Sequence, residues 1–133
     1  MDVALHQDKG PVILRDIARR QDISQKYLWQ VINPLKGAGL VNSVRGAHGG
    51  YALARPPEEI SVRDIVNILE GPVSVVACVA APETCARSPS CTARDAWREI
   101  DARLNDAMSS ITLAQLVQKH RDREAQASPA YVI

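Results

Sequence analysis

The chain of 133 residues has no phenylalanine, and aromatic residues make up only 4% of it. A packed core must therefore be built from Leu, Ile, Val and Ala, which the hydrophobic content of 46% allows. No apolar run approaches the roughly 20 residues that a membrane-spanning helix requires. No basic segment followed by an apolar stretch indicates a secretory signal. We therefore expect a cytoplasmic protein with no membrane partner.

The net charge is only +1, but it is unevenly distributed along the chain. Residues 1–55 contain 8 Lys and Arg against 4 Asp and Glu, a net of +4. Residues 56–133 contain 8 against 11, a net of −3. Clustered positive charge attracts phosphates and releases counterions on binding. The basic first part is compatible with a nucleic-acid partner, and equally with ordinary surface variation.

Cysteine is scarce, and its count of three is odd. A disulfide framework is therefore not expected in a chain without an export signal. Cys78, Cys85 and Cys91 have the spacing C-x6-C-x5-C in one segment without a helical period. Soft thiolates that converge from one loop select an iron–sulfur cluster or zinc. Three incidental thiols, or a redox switch without metal, are the alternatives.

The most informative stretch of the sequence runs from Ser24 to Tyr51. Ser24 can cap a helix, apolar residues follow at helical spacing, and Gly37 and Gly39 end the pattern. Two valine- and leucine-containing segments around a glycine-rich tip then predict a β-hairpin with Arg45 at the tip. A helix followed by a hairpin with a basic tip is typical of a winged helix-turn-helix, which places one helix in the major groove of DNA.

The residues predicted to contact DNA lie in the first turns of this helix and at the hairpin tip. Glutamine can pair with an adenine edge, and lysine or arginine with guanine or phosphate. An arginine on the wing can enter a minor groove. Tyr27 is expected either to bind a phosphate or to pack, and Trp29 either to touch a thymine methyl or to lie against the core. The predicted DNA-binding residues are Ser24, Gln25, Lys26, Tyr27, Gln30, Arg45, Gly46 and His48.

Shorter patterns predict the elements around this stretch. Residues 2–7 are typical of a helix end, residues 12–14 of a short strand and residues 15–20 of a short helix. Pro34 predicts a kink or a helix end near Asn33, because proline removes a backbone hydrogen bond. Ser61 and Asp64 fit a capping arrangement for the next helix. The predicted apolar face of that helix is Val62, Ile65, Val66 and Leu69.

The second half of the chain predicts a long loop followed by a long amphipathic helix. Residues 73–90 have no helical period, whereas residues 92–109 have apolar side chains every three or four positions. The same helix of a second subunit could cover this apolar stripe, or the stripe could pack on its own domain. Thr112 is expected to cap a short helix over residues 113–119, and residues 121–133 form a polar, mobile tail.

The segment GLVNSVRGAHGGY, Gly39 to Tyr51, resembles the Rrf-two family of winged-helix regulators, typified by IscR, NsrR and CymR. The resemblance extends from Asp2 to about Val117, because helix, wing, cysteine loop and closing helix follow the family's order. It implies a homodimeric transcription regulator, a repressor, that binds a double-stranded DNA operator. It also implies a 2Fe–2S or 4Fe–4S cluster on the cysteine loop. Family members have further residues before the position of Asp2, and these residues form the front of the first helix.

The resemblance leaves the fourth cluster ligand unknown. One type of family member has a histidine three residues after the third cysteine, but Arg94 occupies that position here and cannot ligate. Another type draws a carboxylate from the first helix of the partner. Asp95, Glu83 and His6 are local candidates. An iron site open to a small ligand is a further possibility, and it would suit a sensor of nitric oxide, oxygen or cluster status.

The sequence thus predicts a mainly α fold with a small β-hairpin wing and a long C-terminal dimerisation helix. We expect a DNA-binding domain in residues 1–72, a sensor loop in 73–91, the dimerisation and closing helices in 92–119, and a tail in 120–133. No nucleophile–base pair, phosphate loop or acid pair indicates an enzyme. The alternatives are a cluster-free thiol-switch regulator and a zinc-stabilised winged-helix interaction module.

Overall fold

The computed structural model describes residues 1–127, which form a mainly helical fold with one antiparallel β-hairpin. The predicted fold class is therefore confirmed. No helix in this part of the chain has the length and hydropathy needed to cross a membrane. The elements are α1 (Asp2–His6), α2 (Leu14–Gln21), α3 (Gln25–Gly37), β1 (Val41–Val44), β2 (Gly50–Leu53), α4 (Val62–Glu70), α5 (Ala77–Ala80), α6 (Thr92–Ser110) and α7 (Leu113–Ala127).

Two helix starts follow directly from local sequence. The Ser24 hydroxyl accepts a hydrogen bond from the backbone N–H of Tyr27 at 3.1 Å, which fixes the first turn of α3. At α4, the Ser61 hydroxyl accepts the backbone N–H of Asp64 at 3.1 Å, and the Asp64 carboxylate accepts the Ser61 N–H at 2.9 Å. Both predicted caps are confirmed.

The hairpin is tied to the helical part through one backbone pairing. Val41 pairs with Leu53 and Val44 with Gly50 across the two strands. On the other side of β2, Val12 and Tyr51 exchange two N–H···O bonds, each 2.8 Å long. The predicted strand at residues 12–14 is wrong beyond Val12, because α2 begins at residue 14 and its helical bonds take up the backbone there.

Two clusters of buried side chains form the core, and Tyr51 packs against both. The first lies between α1, the start of the hairpin and α7, and the second lies behind α2 and α3. Leucine, isoleucine, valine and alanine fill both clusters, as the absence of phenylalanine requires. The first cluster is Ala4, Leu40, Val41, Ile60, Leu113 and Val117, and the second is Val12, Ile17, Ala18, Leu28 and Ile32.

Pro34 does not end α3, so of the two predicted alternatives, a kink or a helix end near Asn33, the helix end is wrong. The helix continues to Gly37 with the proline inside it. An interior proline costs about 3 kcal/mol. Leu35 lies beyond it and packs against the first core cluster. This packing of the partly buried Leu35 offsets part of that cost.

The segment between α4 and α6 is more ordered than its sequence predicted. Residues 77–80 form the short helix α5, and single turns of 3-10 helix follow at Pro82–Thr84 and Ser88–Ser90. The prediction of an irregular loop over residues 73–90 was therefore wrong. Alanine favours helix and proline is tolerated in a first helical turn, which explains these short elements.

Two further features differ from expectation: the buried face of α4 and the end of α7. Leu69 was assigned to the buried face of α4 but is exposed. Ile65 packs against the core as predicted, and so does Ile68, which was not assigned to that face. Helix α7 runs to Ala127 rather than ending near residue 119, so that much of the predicted tail is helical. The rest of that tail, residues 128–133, lies outside the described residues.

A partly buried ion pair joins α1 to the helix-turn-helix. The Asp2 carboxylate accepts hydrogen bonds from the Arg20 guanidinium at 2.6 and 3.0 Å and from the Gln21 amide at 3.0 Å. Burial raises the pKa of Asp2, but these hydrogen bonds and the charge of Arg20 lower it by more. The pKa of Asp2 therefore lies below its ordinary value of 3.8.

We expect Asp2→Asn to lower the free energy of unfolding at pH 7 by about 2 kcal/mol, because it leaves Arg20 without its carboxylate partner. Urea unfolding measures this value. Glu99→Gln is the matched control, since Glu99 pairs with Arg103 on an exposed helix surface. That control is expected to change stability by less than about 0.5 kcal/mol.

The same pair predicts a pH dependence. Since the pKa of Asp2 is lowered on folding, its contribution is complete above the ordinary value of 3.8 and is lost as the pH falls through the folded value. The stability difference between the wild-type chain and Asp2→Asn should therefore shrink in acid. A difference that stayed constant from pH 7 down to pH 3 would contradict the assignment.

Candidate nucleic-acid interface and cysteine segment

Helices α2 and α3 meet in a tight turn that fixes the direction of α3. Asp22 has a left-handed backbone with φ of 51°, and the N–H of Ile23 bonds to the Ala18 carbonyl at 3.0 Å. Aspartate tolerates this conformation better than most residues. Ile23 packs against the second core cluster, so the turn is held from inside.

One face of α3 is buried, and the opposite face is open. Leu28 and Ile32 are buried, whereas Gln25, Lys26 and Gln30 are exposed. Lys26 and Gln30 are four residues apart and thus neighbours on the helix surface. The outward face therefore presents hydrogen-bonding side chains beginning at the first turn of the helix, as predicted.

The structure decides two alternatives that the sequence left open. Tyr27 is 56% exposed and Trp29 is 53% exposed, so neither lies in the core. Asn33 is also exposed, one turn beyond Trp29 on the same side of α3. Asn33 was missed as a member of this face. Its four-residue spacing from Trp29, which itself follows Gln25 by four residues, was the signal that could have found it.

The hairpin places Arg45, Gly46 and His48 together at an exposed tip. Gly46 has φ of 116°, a conformation that residues with a Cβ rarely adopt. A Cβ on Gly49 would collide with the carbonyl oxygen of Val44, so the tip closes only with glycine there. These glycines hold Arg45 away from the body of the protein, where its charge meets solvent.

The charges of this face are unpaired. Within residues 1–127, neither Lys26 nor Arg45 forms an ion pair, although Arg19 and Arg20 pair with aspartates on α2 and α1. An unpaired cation on a protruding surface interacts with an anionic partner without first losing an internal one. The helix face and the wing tip therefore form a basic surface suited to a phosphate backbone.

The cysteine segment, residues 73–91, is attached to α6 near its first residues. The N–H of Val75 bonds to the Asp101 carboxylate at 2.9 Å, and the Asn105 amide donates to the Val73 carbonyl at 3.3 Å. The Arg94 Nε donates to the carbonyl oxygen of Cys78 at 2.9 Å. Residues far apart in sequence make these bonds, and no local pattern predicted them.

All three cysteines carry free thiols. Cys78 and Cys91 are half-buried, and Cys85 is exposed. Across the described part of the chain, no three His, Cys, Asp or Glu side chains form a group that could hold a metal ion. The sequence expectation that the three thiols converge is therefore not met by their arrangement in this structure.

The donor chemistry of the segment nevertheless suits a cluster. Thiolates are the preferred ligands of iron–sulfur centres. Cys85, Ser88 and Arg94 line one open cavity of about 460 Å³, which is much larger than a single water molecule. The Ser88 residue is 5% exposed, and its hydroxyl has no hydrogen-bond partner in the structure. A bound group could supply that missing partner.

A helix-turn-helix with an exposed polar face and a basic, glycine-tipped wing defines a winged-helix DNA-binding protein. The chain belongs to the Rrf2 family, described as an iron-dependent transcriptional regulator, and the match covers residues 1–119. The family resemblance inferred from residues 39–51 is confirmed. The relatives are transcriptional regulators, so the chain is a DNA-binding regulator and not an enzyme.

Named relatives and solved structures agree with this family. The HTH-type transcriptional regulator IscR of Aliivibrio salmonicida is 39% identical over 129 residues, which cover 93% of this chain and 76% of the relative. The structure of T. potens IscR has a TM-score of 0.74 and 38% identity, covering 98% of this chain and 84% of that one. CymR, the global cysteine regulator of B. subtilis, has a TM-score of 0.73 and 36% identity, covering 89% and 86%.

We expect Arg45→Ala to weaken binding to a mixed-sequence DNA duplex about tenfold and to lower the salt slope by about 1, because one cationic contact with the polyanionic DNA is lost. Fluorescence anisotropy over a range of salt concentrations measures both. The control is Arg103→Ala, which removes an exposed arginine from α6. Equal losses in the two variants would show that only net charge matters.

Proposed function

We propose that the protein is a homodimeric repressor whose operator affinity is set by an iron–sulfur cluster on Cys78, Cys85 and Cys91. The observation that carries the proposal is the attachment of the cysteine segment to α6, through Arg94 and the Cys78 carbonyl. Binding of a group to the segment would therefore act on the helix that we assign to dimerisation. A change in the position of α6 would move the two DNA-binding domains of the dimer relative to each other.

The apolar stripe of α6 supports the dimer. Trp97, Ile100 and Leu104 are exposed at intervals of three and four residues, so they lie on one side of the helix. Elsewhere on α6, Asp101 and Asn105 bond to the start of the cysteine segment, and α6 also packs against α4. An apolar stripe of this length is typical of a helix packed against a second copy.

The DNA part of the proposal assigns a role to each exposed group. Gln25, Lys26 and Gln30 read base edges in the major groove, and Arg45 enters a minor groove beside it. Ser24 caps the helix and can contact a phosphate. Three further residues approach the phosphate backbone of the DNA: Tyr27, Gly46 and His48. Two such DNA-binding domains in a twofold dimer require an operator with two related half-sites.

When bound, the cluster supplies redox and ligand-exchange chemistry that the protein itself lacks. The chain would contribute the sulfur atoms of the three cysteines. Arg94 and the buried Ser88 hydroxyl line the same cavity as Cys85. Arg94 cannot be a ligand, so the fourth ligand remains to be assigned.

A thiol switch without metal is the second candidate. It is favoured by the free state of the three cysteines and by their lack of a closed ligand set. Cys85 is exposed and thus accessible to a soluble oxidant. In this case oxidation of the thiols, rather than loss of a cluster, would alter the segment attached to α6.

Purification without oxygen separates the candidates. We expect a coloured protein that contains iron and sulfide in equal amounts, and Cys85→Ala should lose both because one thiolate ligand is missing. Ser90→Ala is the matched control, since it alters a small side chain in the same segment and should retain the cluster. Absorption spectra and chemical analysis of iron, sulfide and zinc provide the measurement.

The other outcomes of this experiment are equally informative. Zinc without iron would support the zinc-stabilised module. A metal-free protein whose DNA affinity changes on oxidation, and does not change in Cys85→Ala, would support the thiol switch. DNA binding that is identical in oxidised, reduced and cysteine-free protein would overturn the sensor role.

We also expect Ile100→Glu to convert the dimer to a monomer, because a carboxylate in an apolar interface loses its hydration without gaining a partner. The apparent dissociation constant should rise at least about 100-fold, as measured by sedimentation. Ala102→Glu is the control, since Ala102 is exposed on α6 away from the stripe. A dimer that persists in Ile100→Glu would move the interface elsewhere.

A further inference from the structure

Trp29 is an apolar side chain placed among polar ones on the outward face of α3. Its 53% exposure leaves much of the indole in water, while Leu28 beside it is buried. Packing within the chain therefore does not account for a tryptophan at this position. A large exposed apolar group on a surface that must meet another molecule indicates a contact.

Helical spacing places Trp29 next to the exposed polar residues of α3. It follows Gln25 by four residues and Lys26 by three, and it precedes Asn33 by four. Side chains at these intervals are neighbours on a helix. A duplex that is close enough for Lys26 to reach a base edge is therefore within reach of the indole.

We infer that Trp29 is a specificity-determining residue that selects thymine in each half-site of the operator. This inference rests on the proposed reading of DNA by α3. Thymine presents a C5-methyl group and the O4 acceptor in the major groove. The indole presents an apolar ring and one N–H donor, so the two surfaces are complementary.

The other bases match the indole less well. Cytosine lacks the methyl group and presents an N4 amino donor, which would face the indole donor. Guanine offers acceptors but no methyl group, and adenine presents a donor next to its N7 acceptor. Discrimination by Trp29 therefore depends mainly on one methyl group, which can be removed chemically without altering base pairing.

The test begins by selecting bound duplexes from a random-sequence pool with the full-length wild-type protein. Each thymine of the recovered sequence is then replaced by deoxyuridine, which lacks only the C5-methyl group. We expect replacement at one symmetric pair of positions to weaken wild-type binding about four- to tenfold for each half-site, the effect of one buried methyl group. Replacement elsewhere should have little effect.

The same duplexes are then measured with Trp29→Ala, which should bind more weakly and no longer respond to that replacement. Arg103→Ala is the control, because it changes an exposed residue of α6, outside α3 and the wing, and should retain the full response. Circular dichroism checks that Trp29→Ala is folded. This double comparison isolates the contact between one side chain and one methyl group.

Two failures can be told apart. If the wild-type protein recovers no preferred sequence from the pool, the proposed reading of an operator by α3 fails. If a preferred sequence is recovered but wild-type protein and Trp29→Ala respond equally to every deoxyuridine, only the role of Trp29 is overturned. The role of Trp29 would also be overturned if DNA binding left the tryptophan emission of the wild-type protein unchanged. Wild-type protein and Trp29→Phe would then give the same difference spectrum.

Discussion

The backbone pairing between Val12 and Tyr51 is the constraint on which both DNA-facing elements depend. Its two short hydrogen bonds attach the wing to the segment that leads into α2. The Tyr51 side chain then packs against both core clusters, so the hairpin cannot shift without disturbing the packing behind α3. A winged-helix protein must present a helix and a wing to the same duplex at a fixed separation. This pairing supplies that rigidity with few residues, and it leaves the tip around Arg45 free to project into solvent.

Sequence reasoning succeeded where the cause of a feature lies within a few residues of it. The Ser24 cap and the Ser61–Asp64 box depend on side chains that reach backbone groups three residues away, and both were predicted. The exposed face with Lys26 and Gln30 follows from a period of 3.6, which the apolar residues of α3 reveal. The hairpin was equally predictable, because glycines mark its tip and apolar residues mark its strands.

Features that depend on distant residues were missed. The Asp2–Arg20 pair spans 18 positions, and neither residue carries a local signal for it. The helix end predicted near Asn33 was wrong because the energetic cost of Pro34 was considered without the packing of Leu35 beyond it. The length of α7 was underestimated because apolar residues stop at Val117. Polar pairs one turn apart extend the helix instead, among them Gln118 with Asp122 at 2.8 Å. The roles that we propose for the cysteines would likewise depend on a bound group and a partner, which spacing alone does not specify.

The first core cluster has a consequence for any attempt to divide the chain. Leu113 and Val117 of α7 pack in the same cluster as Ala4 and Leu40, and Leu113 also shares a backbone hydrogen bond with Ile60. The core of the amino-terminal part of the chain is thus completed by side chains from the carboxy-terminal part. A fragment cut after the wing would expose aliphatic side chains that the intact protein covers, and would be prone to aggregate. Fusions and truncations designed to isolate the DNA-binding unit should therefore carry α7 with them.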